Sequence, residues 1–171
     1  MTATGTPFDA DDGARAVRDL LARPVPDGGG TEWEPGSDEW TGSVGAGFRL
    51  ALLWRSRHYF GVPGPEWDAA QDEAEAYLAE LVAVLGKRWG PHRVVSMRPY
   101  LFGKVNGDPM PPLFAELAAF DLYGDLRVWG PLDTPHGPRW VGVSVAQCDE
   151  DAPHLMVGAV SALPLTSADD D

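Results

Sequence analysis

The stretch that decides the fold of this chain reads Phe48-Arg49-Leu50-Ala51-Leu52-Leu53-Trp54-Arg55-Ser56-Arg57-His58-Tyr59-Phe60. In a β-strand, successive side chains point to opposite faces of the sheet. One face then collects large apolar side chains, namely Phe48, Leu50, Leu52 and Trp54. The other face collects Arg49, Arg55, Arg57 and Tyr59. The alternation therefore predicts a strand with one buried face and one cationic face.

This cationic segment belongs to an otherwise acidic chain. No acidic residue lies between Trp40 and Glu66, although the 171 residues carry a formal net charge of −13. In an extended strand Arg55 and Arg57 are about 7 Å apart, close enough to hold one phosphate or carboxylate group, whereas Arg49 is about 20 Å further along. The segment is the strongest indication of a binding site in the sequence.

The composition indicates a globular protein. The hydrophobic fraction is 44%, and 171 residues suffice for one domain with a buried core. The single cysteine, Cys148, leaves no intrachain disulfide. The first residues lack the pattern of a secretion signal and no apolar run has the length of a membrane span, so we expect a cytoplasmic protein. The chain has no Ile, and two of its 13 Lys and Arg residues are Lys. Because Ile and Lys use AT-rich codons, this composition indicates a GC-rich, bacterial genome.

Apolar periodicity and Gly/Pro breaks predict the order of the elements. Helices are expected over 10–22, 65–86 and 112–120, and strands over 48–60, 93–98, 125–129, 139–147 and 154–163. A Gly- and Pro-rich arm covers 24–47, and a proline-rich loop covers 130–138. We expect a single α+β domain over 9–164, a disordered N-terminus over 1–8 and a disordered acidic tail over 165–171.

These elements predict an α+β fold with two layers. The sheet is expected to be mixed, mostly antiparallel and of about five strands, with the helices on one face and the long N-terminal arm beside it. The uncovered face would then collect arginine and aromatic side chains from three strands. We call this predicted set the Arg/Trp face; its members are Arg55, Arg57, Tyr59, Arg127, Trp129 and Trp140.

The arm offers this face a covering segment. Trp33 and Trp40 each stand beside carboxylates, in Glu32-Trp33-Glu34 and Asp38-Glu39-Trp40. An aromatic sheet face without cover promotes aggregation, so the arm is expected to pack somewhere. Two interpretations follow, and they can hold together: the arm neutralises the arginines within the molecule, and Trp33 and Trp40 form a lid over a ligand.

The sequence lacks the motifs of catalysis and metal binding. The glycines of 42–47 precede a strand, whereas phosphate-binding loops lie between a strand and a helix. His58, His92, His136 and His154 have no partner at metal-ligand spacing. Acidic neighbours disfavour the thiolate of Cys148. We therefore predict no catalytic residue, no cofactor and no metal site.

Charge then favours a binding function. A net charge of −13 disfavours nucleic acid and anionic membranes and favours a basic protein partner. We expect a non-enzymatic cytoplasmic binding protein, analogous in size and charge to inhibitors and immunity proteins of basic toxins. The first alternative is a small enzyme or ligand-binding domain that takes an anionic small molecule at the Arg/Trp face. The second alternative is a structural subunit with a homo-oligomer interface.

Overall fold

The structure is a computed structural model that describes residues 7–36, 38–56, 64–100, 106–107, 109–147 and 152–166. It contains helices α1 (Ala10–Ala22), α2 (Gly64–Trp89) and α3 (Pro112–Ala119). The strands are β1 (Glu32–Trp33), β2 (Gly42–Gly45), β3 (Phe48–Arg55), β4 (Arg93–Val95), β5 (Leu126–Thr134), β6 (Gly137–Ala146) and β7 (Leu155–Ser161). The α+β prediction is confirmed at this level.

The sheet has seven strands in the order β1-β2-β3-β7-β6-β5-β4, and each neighbouring pair is antiparallel. The prediction of about five strands was wrong because the arm supplies two more. Strand β2 pairs with β3 from Gly42↔Ala51 to Gly45↔Phe48, and β1 pairs with β2. Gly42 suits this close pairing, since a Cβ there would lie 2.6 Å from the carbonyl oxygen of Leu50.

Helices cover both faces of the sheet, so the prediction of helices on one face was also wrong. On one face, α1 and α2 enclose a set of buried side chains that we call the helical-pair core; it includes Val17, Leu78, Leu81, Trp129, Val141, Val143 and Val160. On the other face, α3 encloses the α3 core, which includes Phe48, Leu50, Leu52, Phe114, Leu126 and Val128. Both faces of the central strands are apolar enough to be buried, which gives three layers instead of two.

Two register shifts in the sheet change the face on which the following side chains lie. The register of β3 with β7 shifts between Leu52 and Trp54, so Leu52 belongs to the α3 core and Trp54 to the helical-pair core. The register of β5 with β6 shifts between Trp129 and Leu132. Beyond that shift the two strands continue as one hairpin, and residues 130–138 are therefore strand and turn instead of the predicted loop.

Local chemistry sets the helix ends. The Asp9 side chain accepts hydrogen bonds from the amides of Asp11 and Asp12 at 2.9 and 3.0 Å, and α1 covers the predicted residues 10–22. Helix α2 runs three residues past the predicted end at Gly86. It stops before Gly90, whose φ of +85° is the left-handed conformation that closes helices.

The described residues next to the chain ends are packed. Phe8 lies 5.9 Å from the ring centroid of Tyr77, and Leu165 is 1% exposed. The Tyr100 hydroxyl donates to the carbonyl of Thr166 at 2.9 Å. The remainder of the segments predicted to be disordered, 1–6 and 167–171, lies outside the described residues.

Candidate binding surface on the arm

The arginines of β3 lie on opposite faces of the sheet. Arg49 pairs with Val160 of the helical-pair core, whereas Arg55 pairs with Leu155, which packs against the α3 core. Partners in an antiparallel pair point to the same face, so the register shift after Leu52 divides the predicted cationic stripe. Arg57 and Tyr59 lie outside the described residues.

The other members of the Arg/Trp face are divided in the same way. Arg127 and Trp129 pair with Val143 and Val141 and so lie on the side of the helical-pair core, whereas Trp140 packs against the α3 core. The four described members therefore occupy two opposite faces. The prediction that they share one open face was wrong, because that face does not exist once helices cover both sides.

Trp129 is a core residue in this structure. It is 2% exposed, and its Nε1 donates to the carbonyl of Gly90 at 2.8 Å. Its ring meets Trp89 at 5.7 Å and His92 at 5.8 Å. A buried tryptophan whose N–H is satisfied stabilises the end of α2 against the sheet.

Carboxylates of the arm neutralise both described arginines of β3. Glu34 Oε1 lies 3.1 Å from Nη1 of Arg49 and 3.5 Å from Nη1 of Arg23, and Arg49 also donates from Nε to the Pro24 carbonyl. On the opposite face, Glu39 Oε2 lies 3.4 Å from Nη1 of Arg55. The arm therefore supplies an internal counter-charge to both arginines, and the lid role of Trp33 and Trp40 stays a prediction.

The two arm-to-strand pairs differ in burial. The side chains of Arg49 and Glu34 are 13% and 23% exposed, so their contact is shielded from water. Burial lowers the pKa of Arg49, and the positive charge of Arg23 lowers it further, whereas Glu34 raises it. In the other pair Arg55 is 17% exposed but Glu39 is 71% exposed, so that carboxylate remains largely hydrated.

The two tryptophans of the arm take different environments. Trp40 is 6% exposed, donates from Nε1 to Ser43 Oγ at 2.9 Å and lies 4.6 Å from Phe120. Trp33 lies 5.6 Å from Phe120 but stays 56% exposed. Trp40 therefore anchors the arm, and Trp33 presents an aromatic surface to solvent.

Sheet register places Trp33 on the side of α3. Trp33 pairs with Ser43, and Ser43 pairs with Leu50 of the α3 core. Phe120, the residue that follows α3, supports both tryptophan rings. Phe120 could not be predicted as a site residue from the sequence, because an aromatic residue at a helix end carries no signal of which distant segment will cover it.

Exposed carboxylates flank this aromatic group. Asp38 and Glu39 lie in the loop that joins the two tryptophans, and Asp121 directly follows Phe120. All three residues are exposed. We call the surface formed by Trp33, Phe120, Asp38, Glu39 and Asp121 the arm patch.

A metal site and a membrane span each have requirements that the side chains and helices of the described part of the chain do not meet. There, no group of three or more His, Cys, Asp and Glu side chains could hold a metal ion. No described helix combines the length and the apolar composition needed to cross a membrane. Comparisons with protein-family models, with curated proteins and with solved structures each returned no match.

Proposed function

We propose that this chain is a non-catalytic, cytoplasmic protein-binding domain and that its arm patch binds a basic protein. The observation that carries the proposal is the 56% exposure of Trp33 on a support that is itself packed. Exposed tryptophans on a fixed support are typical of binding hot spots, where a few aromatic and arginine side chains dominate the binding free energy.

The arm patch is preorganised for binding. The arm is held by the buried ring of Trp40, by the Glu34–Arg49 pair and by backbone pairing of β1 with β2. A surface that is already ordered loses little conformational entropy when a partner docks. Such a surface supports tight binding through a small number of contacts.

Charge defines the chemistry of the partner. Asp38 and Asp121 place exposed carboxylates next to the aromatic residues in the chain, Glu39 stays largely hydrated in its pair with Arg55, and the whole chain carries −13. A partner with lysine and arginine around an apolar depression complements this pattern, and the long-range field speeds its encounter. An inhibitor or immunity-type role in a bacterial cell is the kind of function that this arrangement serves.

Site-specific photo-crosslinking tests the proposal. A benzophenone amino acid replaces Trp33 in one protein and Val94 in a matched control, because the two residues are 56% and 57% exposed on strands at opposite edges of the sheet. Both proteins are irradiated in lysate of the source organism, and the products are identified by mass spectrometry. We expect a defined, basic protein among the crosslinked products at position 33, and we expect that protein to be absent from the products at position 94.

Charge reversal provides the second part of this test. Glu39→Lys with Asp38→Lys should abolish the crosslink at position 33, because each change places a repelling charge beside the partner's cations. Equal products at positions 33 and 94, capture of an acidic protein, or a crosslink that survives charge reversal would contradict the proposal. A crosslink between two copies of this chain would instead indicate the homo-oligomer alternative.

A further inference from the structure

Helices α1 and α2 enclose a groove on the side of the sheet opposite the arm patch. Its volume is about 560 Å³. Its lining residues are Asp11, Ala14, Arg15, Arg18, Val84, Leu85, Lys87 and Arg88. The volume lies within the range of roughly 300–1,000 Å³ that is usual for small-molecule sites. By contrast, a cavity of about 90 Å³ beside Tyr100 and Phe114 on the α3 side is too small for such a ligand.

The groove concentrates positive charge on a chain whose net charge is −13. Within the described residues Arg18, Lys87 and Arg88 make no ion pair. Arg15 pairs with Asp12 at 3.1 Å, but the two side chains are 65% and 71% exposed, and such pairs are weak. The cations of the groove therefore retain their capacity to bind an anion.

Arg18 adds an observation of a different kind. Its Nε is buried and has no hydrogen-bond partner among the described residues. A buried donor without a partner is unfavourable, so nearly all such groups in folded proteins are satisfied by protein, water or a ligand. This donor belongs to a side chain that lines the groove, so an oxygen atom of a ligand or of water in the groove would satisfy it.

The helix dipole does not account for the whole cluster. Lys87 and Arg88 lie in the last turn of α2, where positive charge is favourable in any helix. Helix α1 has no basic residue in its last turn, so Arg15 and Arg18 do not serve that purpose. Arg15 has its pair with Asp12, whereas Arg18 lines the same groove as Lys87 and Arg88 with its Nε unpartnered among the described residues.

We propose that this groove binds an organic phosphate, with the phosphate on the cations and an apolar body on the floor. The groove is lined by four cationic side chains and Asp11, and Arg15 also pairs with Asp12 beside it, which leaves an excess of two positive charges. A phosphate monoester carries about −1.5 to −2 near pH 7 and matches this excess. Guanidinium groups bind phosphate oxygens in pairs, and the floor formed by Ala14, Val84 and Leu85 covers an apolar substituent.

Isothermal titration calorimetry of the full chain tests the assignment. Phenyl phosphate is the probe, and inorganic phosphate and benzoate are compared with it at constant ionic strength. We expect saturable binding of phenyl phosphate. Inorganic phosphate and benzoate should each bind about tenfold more weakly, because one lacks the apolar body and the other lacks the second charge.

Matched variants distinguish the groove from a general charge effect. Arg18→Gln and Lys87→Gln should each weaken phenyl phosphate binding by about tenfold, since each removes one charge-assisted hydrogen bond. Arg139→Gln makes the same change of charge on the β5–β6 hairpin, outside the groove, and should leave the affinity unchanged. Lys87 is exposed, so its replacement tests the proposal even where Arg18→Gln disturbs folding.

Several outcomes would overturn the assignment. They are the absence of saturable binding, equal affinity for phenyl phosphate and inorganic phosphate, and an equal loss in Lys87→Gln and Arg139→Gln. The groove and the arm patch lie on opposite faces of the sheet. Trp33→Ala should therefore leave phenyl phosphate binding unchanged, and failure of either proposal leaves the other standing.

Discussion

Strand β3 and the groove between α1 and α2 both carry clustered cations, but they differ in where the counter-charges are. Arg49 and Arg55 of β3 meet carboxylates of the arm at 3.1 and 3.4 Å. In the groove, Arg18 and Lys87 make no ion pair with any described residue. Clustered arginines in a sequence therefore indicate strong electrostatics without showing whether the partner is internal or foreign.

The largest effect in this comparison is expected at the anchor of the arm. Trp40→Ala removes a buried ring and its hydrogen bond to Ser43, and should lower the free energy of unfolding by about 3–5 kcal/mol. Trp33→Ala removes a ring that is 56% exposed and should cost less than about 1 kcal/mol. Urea unfolding of the two variants beside the unchanged chain measures both values.

This pair of variants also tests which tryptophan is structural. Equal destabilisation by the two substitutions would mean that Trp33 helps to hold the arm, and would weaken its assignment as a free binding surface. A small loss in Trp40→Ala would mean that the arm is not anchored through its contact with Phe120.

The two ion pairs of β3 should differ in strength. Arg49→Met keeps the length of the side chain but removes the donor of the Pro24 carbonyl and leaves Glu34 with only the more exposed Arg23, and should cost about 2 kcal/mol. Arg55→Met should cost less than about 1 kcal/mol, because Glu39 is 71% exposed and regains water.

A double-mutant cycle with Glu34→Gln isolates the buried pair from other effects of Arg49→Met. Coupling near zero between Arg49 and Glu34 would contradict the assignment of Glu34 as the internal counter-charge. A larger loss at Arg55 than at Arg49 would reverse the comparison between the shielded and the hydrated pair.

The smallest expected effect is on the pH dependence of the free energy of unfolding. Burial lowers the pKa of His154, which is 5% exposed. The unfolded chain then binds a proton at a higher pH than the folded chain, so this contribution to stability is full above the ordinary histidine pKa of about 6.5 and declines as the pH falls below it. Through one such group, the free energy of unfolding can change by no more than about 1.4 kcal/mol per pH unit.

Urea unfolding between about pH 7.5 and pH 5.5 measures this decline, and His154→Gln should reduce its slope. His136 is exposed in the β5–β6 turn, so His136→Gln is the matched control and should keep the slope of the unchanged chain. A slope that is the same in all three proteins would show that His154 does not titrate differently on folding.

The sequence predicts the structure correctly where local chemistry decides it. The limits of α1 follow from the Asp9 cap and from Pro24, and the alternation of residues 48–52 predicts the first part of β3. The predicted strands were incomplete where pairing with a distant segment decides the structure. The two-residue strand β1 and the glycine-rich β2 have almost no intrinsic strand preference and form because β3 offers an edge.

At the candidate sites, too, some features could be predicted from the sequence and others could not. An internal counter-charge from the arm was one of the two interpretations of the sequence, and Glu34 and Glu39 do pair with Arg49 and Arg55. The register shift after Leu52 could not be predicted, because an inserted residue leaves no mark in an apolar run. The groove could not be predicted either, since it joins residues 15 and 18 to residues 87 and 88 through helix packing.

The most direct test of the central claim is the affinity of the crosslinked partner, once purified, for the unchanged chain, for Trp33→Ala and for Val94→Ala. Trp33→Ala should weaken binding at least about 30-fold, the loss expected for a hot-spot residue worth about 2 kcal/mol. Val94→Ala, at the opposite edge of the sheet and equally exposed, should leave the affinity unchanged. Equal affinities of Trp33→Ala and the unchanged chain would contradict the claim that the arm patch is the binding surface.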